Sequence, residues 1–166
     1  RYDDTLFVVL KTLRYEEETS DIETGALMAF VGDRFLLTIR RGDAAPLHGV
    51  RLTLEKDPSA LAAGPQVALY AIIDRIVDSY LVIDDELGRD LEGIEEGVFK
   101  DADTIASQTI YNLRREVLEF KRAAIPLARA VQLSFGPSSS LVDNETKLLY
   151  RDVSDHLSRV IDHIES

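Results

Sequence analysis

The spacing of apolar residues changes part-way along this chain, and the change divides it in two. Up to residue 64 they come in short clusters broken by Gly, Pro and acidic runs. From residue 66 they recur every third or fourth position over tens of residues. The first region reads as strands and short helices, the second as long amphipathic helices.

Residues 5 to 15, Thr-Leu-Phe-Val-Val-Leu-Lys-Thr-Leu-Arg-Tyr, are rich in β-branched and aromatic side chains. They read as a strand buried on both faces near its start. An acidic loop, Glu16 to Asp21, follows. Ala26 to Val31 and Phe35 to Arg40 flank Gly32-Asp33 and predict a hairpin with a two-residue loop, in which Gly32 supplies a positive φ. Arg41-Gly42-Asp43 ends that strand. Three strands with apolar runs call for covering helices and further strands, which this reading places upstream of Arg1. Leu47, Val50 and Leu54 suit a short helix, although Val50, Leu52 and Leu54 also alternate like a strand; helix is the preferred reading. Asp57-Pro58-Ser59 breaks it, and Ser59 is read as the cap of a further turn to Ala63.

Pro65 suits a first helical turn. Apolar residues then fall at 69, 73, 76, 80, 83, 87, 91, 94 and 98, which predicts a helix over 66–99, roughly 50 Å long. Lys100 to Asp103 reads as a tight turn with Asp103 as N-cap. A second run at 106, 110, 113, 117, 120, 124, 127 and 131 has the spacing of a coiled-coil seam. It predicts a helix over 103–135, kinked at Pro126 and antiparallel to the first. Gly136 to Ser140 is a loop. A third amphipathic helix, about 141–166, carries no stop signal and is expected to continue. The fold class is therefore α+β: a short sheet in residues 1–64, then a helical region over 65–166.

Composition narrows the function. The chain has 166 residues, with 30 acidic and 19 basic side chains and a net charge of −11. That balance argues against nucleic acid and against an anionic lipid surface, and it favours cations as partners. The longest wholly apolar run, Val67 to Ile73, is far short of the about 20 residues a membrane helix needs. There is no cysteine, so thiolate metal sites are excluded. Seven carboxylates crowd Asp84 to Glu96 against Arg89 alone. The second long helix carries Arg114, Arg115, Lys121, Arg122 and Arg129, and folding the hairpin about residue 101 sets Arg114 and Arg115 level with Glu86 and Leu87.

The candidate chemistry lies in the third helix. Asp152 and His156 are one turn apart, so a carboxylate and an imidazole share one face and can share a divalent ion. Arg151, Asp155 and Arg159 form an ion-pair row at the same spacing, so Asp155 is read as structural. Glycine-rich nucleotide loops, His-Glu-x-x-His and Gly-x-Ser-x-Gly are all missing. His48 and His163 have no acidic-basic constellation in the sequence around them. The chain is not read as an enzyme.

Four stretches, in order, resemble the cytoplasmic region of CorA-type magnesium transporters. They are Tyr2-Asp3-Asp4-x-Leu6-Phe7-Val8-Val9-Leu10-Lys11, Leu69-Tyr70-Ala71-Ile72-Ile73-Asp74-x-Ile76-Val77-Asp78-x-Tyr80, the Ile125-Pro126-Leu127 kink, and Tyr150-Arg151-Asp152-Val153-x-Asp155-His156. The resemblance implies an N-terminal α/β/α sandwich, of which residues 1–64 are the C-terminal part, followed by the helical hairpin and the start of a stalk helix. It implies a homopentameric channel at the cytoplasmic face of the inner membrane, joined to it by two helices that this chain does not contain. Mg²⁺ bound between protomers would hold the pore closed. The stalk Asp of the family matches Asp152, with His156 one turn on, and the first Asp of Asp-x-Ile-Val-Asp matches Asp74; Asp78 is read as structural. Their acidic partners in the family come from a motif not present in these residues.

The donor types agree with that implication. Mg²⁺ keeps several waters and takes one or two carboxylates, whereas His156 would favour Co²⁺, Ni²⁺ or Zn²⁺. Two alternatives stand beside it: the same region of a Zn²⁺-moving relative, and a helical adaptor without metal function.

Overall fold

A computed structural model describes residues 5–44, 47–100, 107–139 and 142–166. Its elements are β1 (Leu6–Glu16), β2 (Asp21–Val31), β3 (Leu36–Arg41), α1 (His48–Glu55), α2 (Pro58–Ala62), α3 (Pro65–Lys100), α4 (Ser107–Phe135) and α5 (Asn144–Glu165). The strands form one antiparallel sheet in the order β1-β2-β3. The α+β class and the three long helices agree with the sequence reading. The expected Asp103 cap, the Tyr2-Asp3-Asp4 motif and a third-helix start at residue 141 lie outside the described residues.

Several local expectations change. Both hairpin loops have four residues, since Glu16 pairs with Asp21 and Val31 with Leu36. β2 therefore starts at Asp21, inside the expected acidic loop. Gly32 does not take a positive φ. It is small because the Phe35 ring folds over it, and a Cβ there would run into that ring. Positive φ occurs instead at Gly42, where β3 ends. The cap of α2 is Asp57, whose carboxylate accepts from the backbone N–H groups of Ser59 and Ala60. The third helix starts from Asp143, which accepts from the Thr146 N–H at 2.7 Å. α4 runs on through Pro126.

Where the sheet is three strands wide, Leu10, Leu27, Ala29 and Val31 form its buried face. Towards the tip of the β1–β2 hairpin burial crosses to the opposite parity, at Leu13 and Ile22. A two-stranded ribbon twists strongly enough to allow this. The start of β1 is not buried on both faces: Val9 is 58% exposed, and Leu37 and Ile39, on the same face two strands away on β3, are 54% and 48% exposed. With Phe7 and Phe30, whose rings are 4.7 Å apart, they make an apolar outer face that none of these helices covers.

The core continues from the sheet into the helices. Tyr80 on α3 meets Phe120 on α4 edge to face at 5.6 Å, and its hydroxyl donates to the Lys11 carbonyl oxygen at 2.8 Å. α5 buries Tyr150, Val153, Leu157 and Val160 against both long helices. Tyr150 stacks on Phe135 of α4 at 4.0 Å. Each such side chain contributes about 1.5–3 kcal/mol relative to exposure. The seams hold inward of Leu87 and Glu116 and open towards the hairpin tip, where Leu91 and Ile110 are half exposed.

Among the described residues one carboxylate is inside. Glu116 is 2% exposed; it accepts the Ile22 N–H at 2.7 Å and the Arg115 guanidinium at 2.9 Å. It ties the β1–β2 hairpin to α4. Arg115 also pairs with Asp21 at 3.2 Å, so it serves the sheet and not the acidic face of α3, whose Glu86 bonds Arg89. Arg115, set level with Glu86 by the sequence, is thus paired to the sheet, while Glu86 is paired within α3.

Substituting Phe120→Ala should cost about 3–5 kcal/mol in urea unfolding, while Val9→Ala should change stability by under about 0.5 kcal/mol. A comparable loss at both positions would mean that the outer sheet face is covered.

Candidate metal centre

α3 and α5 run in the same direction, side by side. At one end the Tyr150 hydroxyl donates to the Gln66 carbonyl oxygen at 3.4 Å. At the other, His163 Nδ1 lies 2.8 Å from Asp84 Oδ2. Asp74 on α3 and Asp152 and His156 on α5 fall between these ends. All three sequence-predicted residues therefore face the same seam.

Their charges act on one another. Asp74 is half-buried, and burial pushes its carboxyl above the ordinary carboxylate range; Asp78 and Asp152 push it further, and His156 opposes them. The Tyr70 hydroxyl is raised first by burial and then by Asp74, Asp152 and Asp78. Asp78 is partly offset by Arg75, 3.7 Å away. Its proximity to Asp74 makes it part of the patch, in addition to the structural role expected for it. His156 keeps Nδ1 buried without a hydrogen-bond partner.

The donors do not close into a cage. Among the described residues, no three His, Asp or Glu side chains converge closely enough to hold one metal ion. Asp152 is exposed while Asp74 is recessed. The arrangement is an electronegative patch with an imidazole at its edge, suited to an ion that keeps most of its water or takes further ligands from elsewhere. The Arg151–Asp155–Arg159 row does not close into ion pairs among the described residues. These three long or exposed side chains stay in water, where such pairs are worth little.

Sequence reading missed the Asp84–His163 clasp. Its partners are 79 positions apart, so no local spacing announces it. It missed Tyr15 for the same reason: the hydroxyl donates to Asp90 at 2.5 Å, and burial followed by that bond pushes it up to about 12.

The whole chain, residues 1–166, matches the model of a family described as CorA-like Mg²⁺ transporter protein. The chain is 28% identical to the protein YfjQ of Bacillus subtilis over 99% of its own length and 50% of that protein's. It is 22% identical to the cobalt/magnesium transport protein CorA of Thermotoga maritima, over 99% of its length and 47% of that protein's. The chain thus spans about half the length of the curated relatives it matches. Its fold is similar to that of the soluble domain of CorA from Methanocaldococcus jannaschii, with a TM-score of 0.83 at 21% identity, covering 99% of this chain and 66% of that one. Among the described residues no helix is long and apolar enough to cross a membrane.

The raised Asp74 carboxyl fixes the sign of a pH effect. The unfolded chain loses this proton first as pH rises, so the contribution of Asp74 to stability is present below the ordinary carboxylate value and is lost through the raised one. In chelator, Asp74→Asn should be more stable than the parent at about pH 7, and the gap should close by about pH 3.5. Urea midpoints that differ equally at both values would remove Asp74 from the electrostatic account.

Proposed function

The chain belongs to the CorA-like Mg²⁺ transporter protein family, a family of transporters and not of enzymes, and from that premise we propose that it is a divalent-cation-sensing region. Asp74, Asp152 and His156 are its contribution to the cation site. The observation that carries this reading is the recessed Asp74 carboxylate, set against Asp78 and Asp152 with too little positive charge to balance them. Like charges held this close repel, and a hydrated divalent ion relieves them more effectively than a single lysine would.

Because the patch is one-sided, further ligands come from outside it. In this reading they are supplied by a neighbouring copy in a homopentamer. Bound Mg²⁺ then draws acidic faces together and keeps the pore closed, and its loss lets the protomers separate and the pore open. Residues 1–64 would be the C-terminal part of an α/β sandwich and residues 65–166 the hairpin and stalk, on the cytoplasmic face of the membrane. The membrane helices of the assembly would lie outside these 166 residues.

A second reading concerns which ion is sensed. The unpartnered buried Nδ1 of His156 offers a nitrogen donor that Mg²⁺ uses poorly and Co²⁺, Ni²⁺ or Zn²⁺ use well. A helical adaptor without metal function explains neither that nitrogen nor the recessed Asp74.

Occupancy at about a hundred times the dissociation constant stabilises by about 2.7 kcal/mol, several degrees for a chain of this size. The thermal midpoint should rise in about 10 mM Mg²⁺ above a monovalent control of matched ionic strength, and Asp152→Ala should abolish the rise. Equal rises in parent and variant would remove Asp152 from the site. His156→Ala should reduce the response to Co²⁺ more than the response to Mg²⁺.

A further inference from the structure

The chain carries 30 acidic residues against 19 basic ones, yet one of its grooves is lined by cations without a single carboxylate. It lies between α4 and α5 and encloses about 760 Å³, within the range of small-molecule sites. Its charged residues are Arg129 on α4 and Lys147 and Arg151 on α5. None of the three forms an ion pair among the described residues. The Lys147 ammonium donates to the Pro137 carbonyl oxygen at 3.3 Å.

This arrangement opposes itself when empty. Lys147 and Arg151 are one turn apart on a helix, where like charges repel, and Arg129 adds a third charge across the groove. Several exposed basic side chains elsewhere have acidic partners close by, as Arg122 has Glu119 and Lys121 has Glu165, although others such as Arg159 form no ion pair among the described residues. Here the groove walls supply neutral polar groups in their place, the amides of Gln132 and Asn144. Arginine forks and an ammonium with neighbouring amide donors suit the several oxygens of a phosphate group.

We propose that the groove between α4 and α5 binds a small phosphate-bearing anion. Its residues sit at positions 147, 151 and 154 on α5, a different flank of that helix from Asp152, His156 and His163, which meet α3. The two flanks therefore present opposite charge, and the anion does not compete for the cation patch. Phosphate of this kind occurs free, as in polyphosphates and nucleoside triphosphates, or as a lipid headgroup, and the groove chemistry is the same for both.

Tripolyphosphate is the first probe, titrated calorimetrically into the protein at low ionic strength with chelator present. Saturable binding is expected. Lys147→Ala with Arg151→Ala should weaken it about tenfold or more, the loss of one charge-assisted hydrogen bond or more. Arg122→Ala, which removes a cation paired elsewhere, should leave it unchanged. Both substituted side chains are at the surface, and a thermal melt of the double variant checks that it is folded. ATP binding without co-sedimentation on phosphatidylglycerol vesicles would identify a free ligand. Co-sedimentation that the double variant loses, and that phosphatidylcholine vesicles do not show, would identify a headgroup. Binding of neither probe, or equal binding by parent and double variant, overturns the proposal. So does a change of sedimentation coefficient in the double variant without anion binding, which would make the groove a contact between copies.

Discussion

The apolar stripe of α5 has to be buried, and only the trough between α3 and α4 can bury it. Tyr150, Val153, Leu157 and Val160 occupy one side of that helix, and in proteins a helix takes most of its stability from packing such a face. Seating the stripe fixes the relative position of the two long helices. It also turns the flanks of α5 outward, one towards α3 and one along α4. The cation patch and the cationic groove are both by-products of this seating. The charged side chains of both stand on these helices, although Gly136 and Pro137 of the connecting loop also line the groove.

Electrostatic frustration is distributed unevenly over this frame. Glu116 is the most buried carboxylate among the described residues, yet it is matched by the Ile22 N–H and by Arg115. Asp74 is less buried and is matched by nothing comparable: Asp78 and Asp152 press on it, His156 opposes them, and Arg75 leans on Asp78. Burying a charge without partners is costly. A protein able to pair Glu116 so fully could have paired Asp74, and the difference separates a structural carboxylate from one left available.

Much of the frame was legible in the sequence, because it is written in periodicity. The three-four spacing of Leu69, Ile73, Ile76, Tyr80 and Ile83 is the buried face of α3, and the same rule located α4. It failed outward of Leu87, where Leu91 and Ile110 keep the spacing without the burial; a pattern reports which side chains could be covered, not whether a surface is there to cover them. Turn chemistry failed at Gly32, where the constraint is the proximity of an aromatic ring and not a backbone angle. Asp152 and His156 stand out by their one-turn spacing and Asp74 by motif resemblance, and their common seam follows from the parallel course of α3 and α5. The Asp84–His163 clasp and the Glu116 contacts depend on distances between remote elements, which no local signal encodes.

The outer face of the sheet has one more consequence. Phe7, Val9, Phe30, Leu37 and Ile39 lie on one surface, and among the described residues β1 and β3 are the outer strands of the sheet. Exposed apolar strands with open edges are the surfaces through which polypeptides add to one another side by side. None of these five side chains is charged, so repulsion on this face is left to carboxylates at the hairpin tip and on the helices. Handled alone at high concentration, this region is therefore colloidally asymmetric: one end repels its copies and the other attracts them, so solubility will be governed by the sheet and not by net charge.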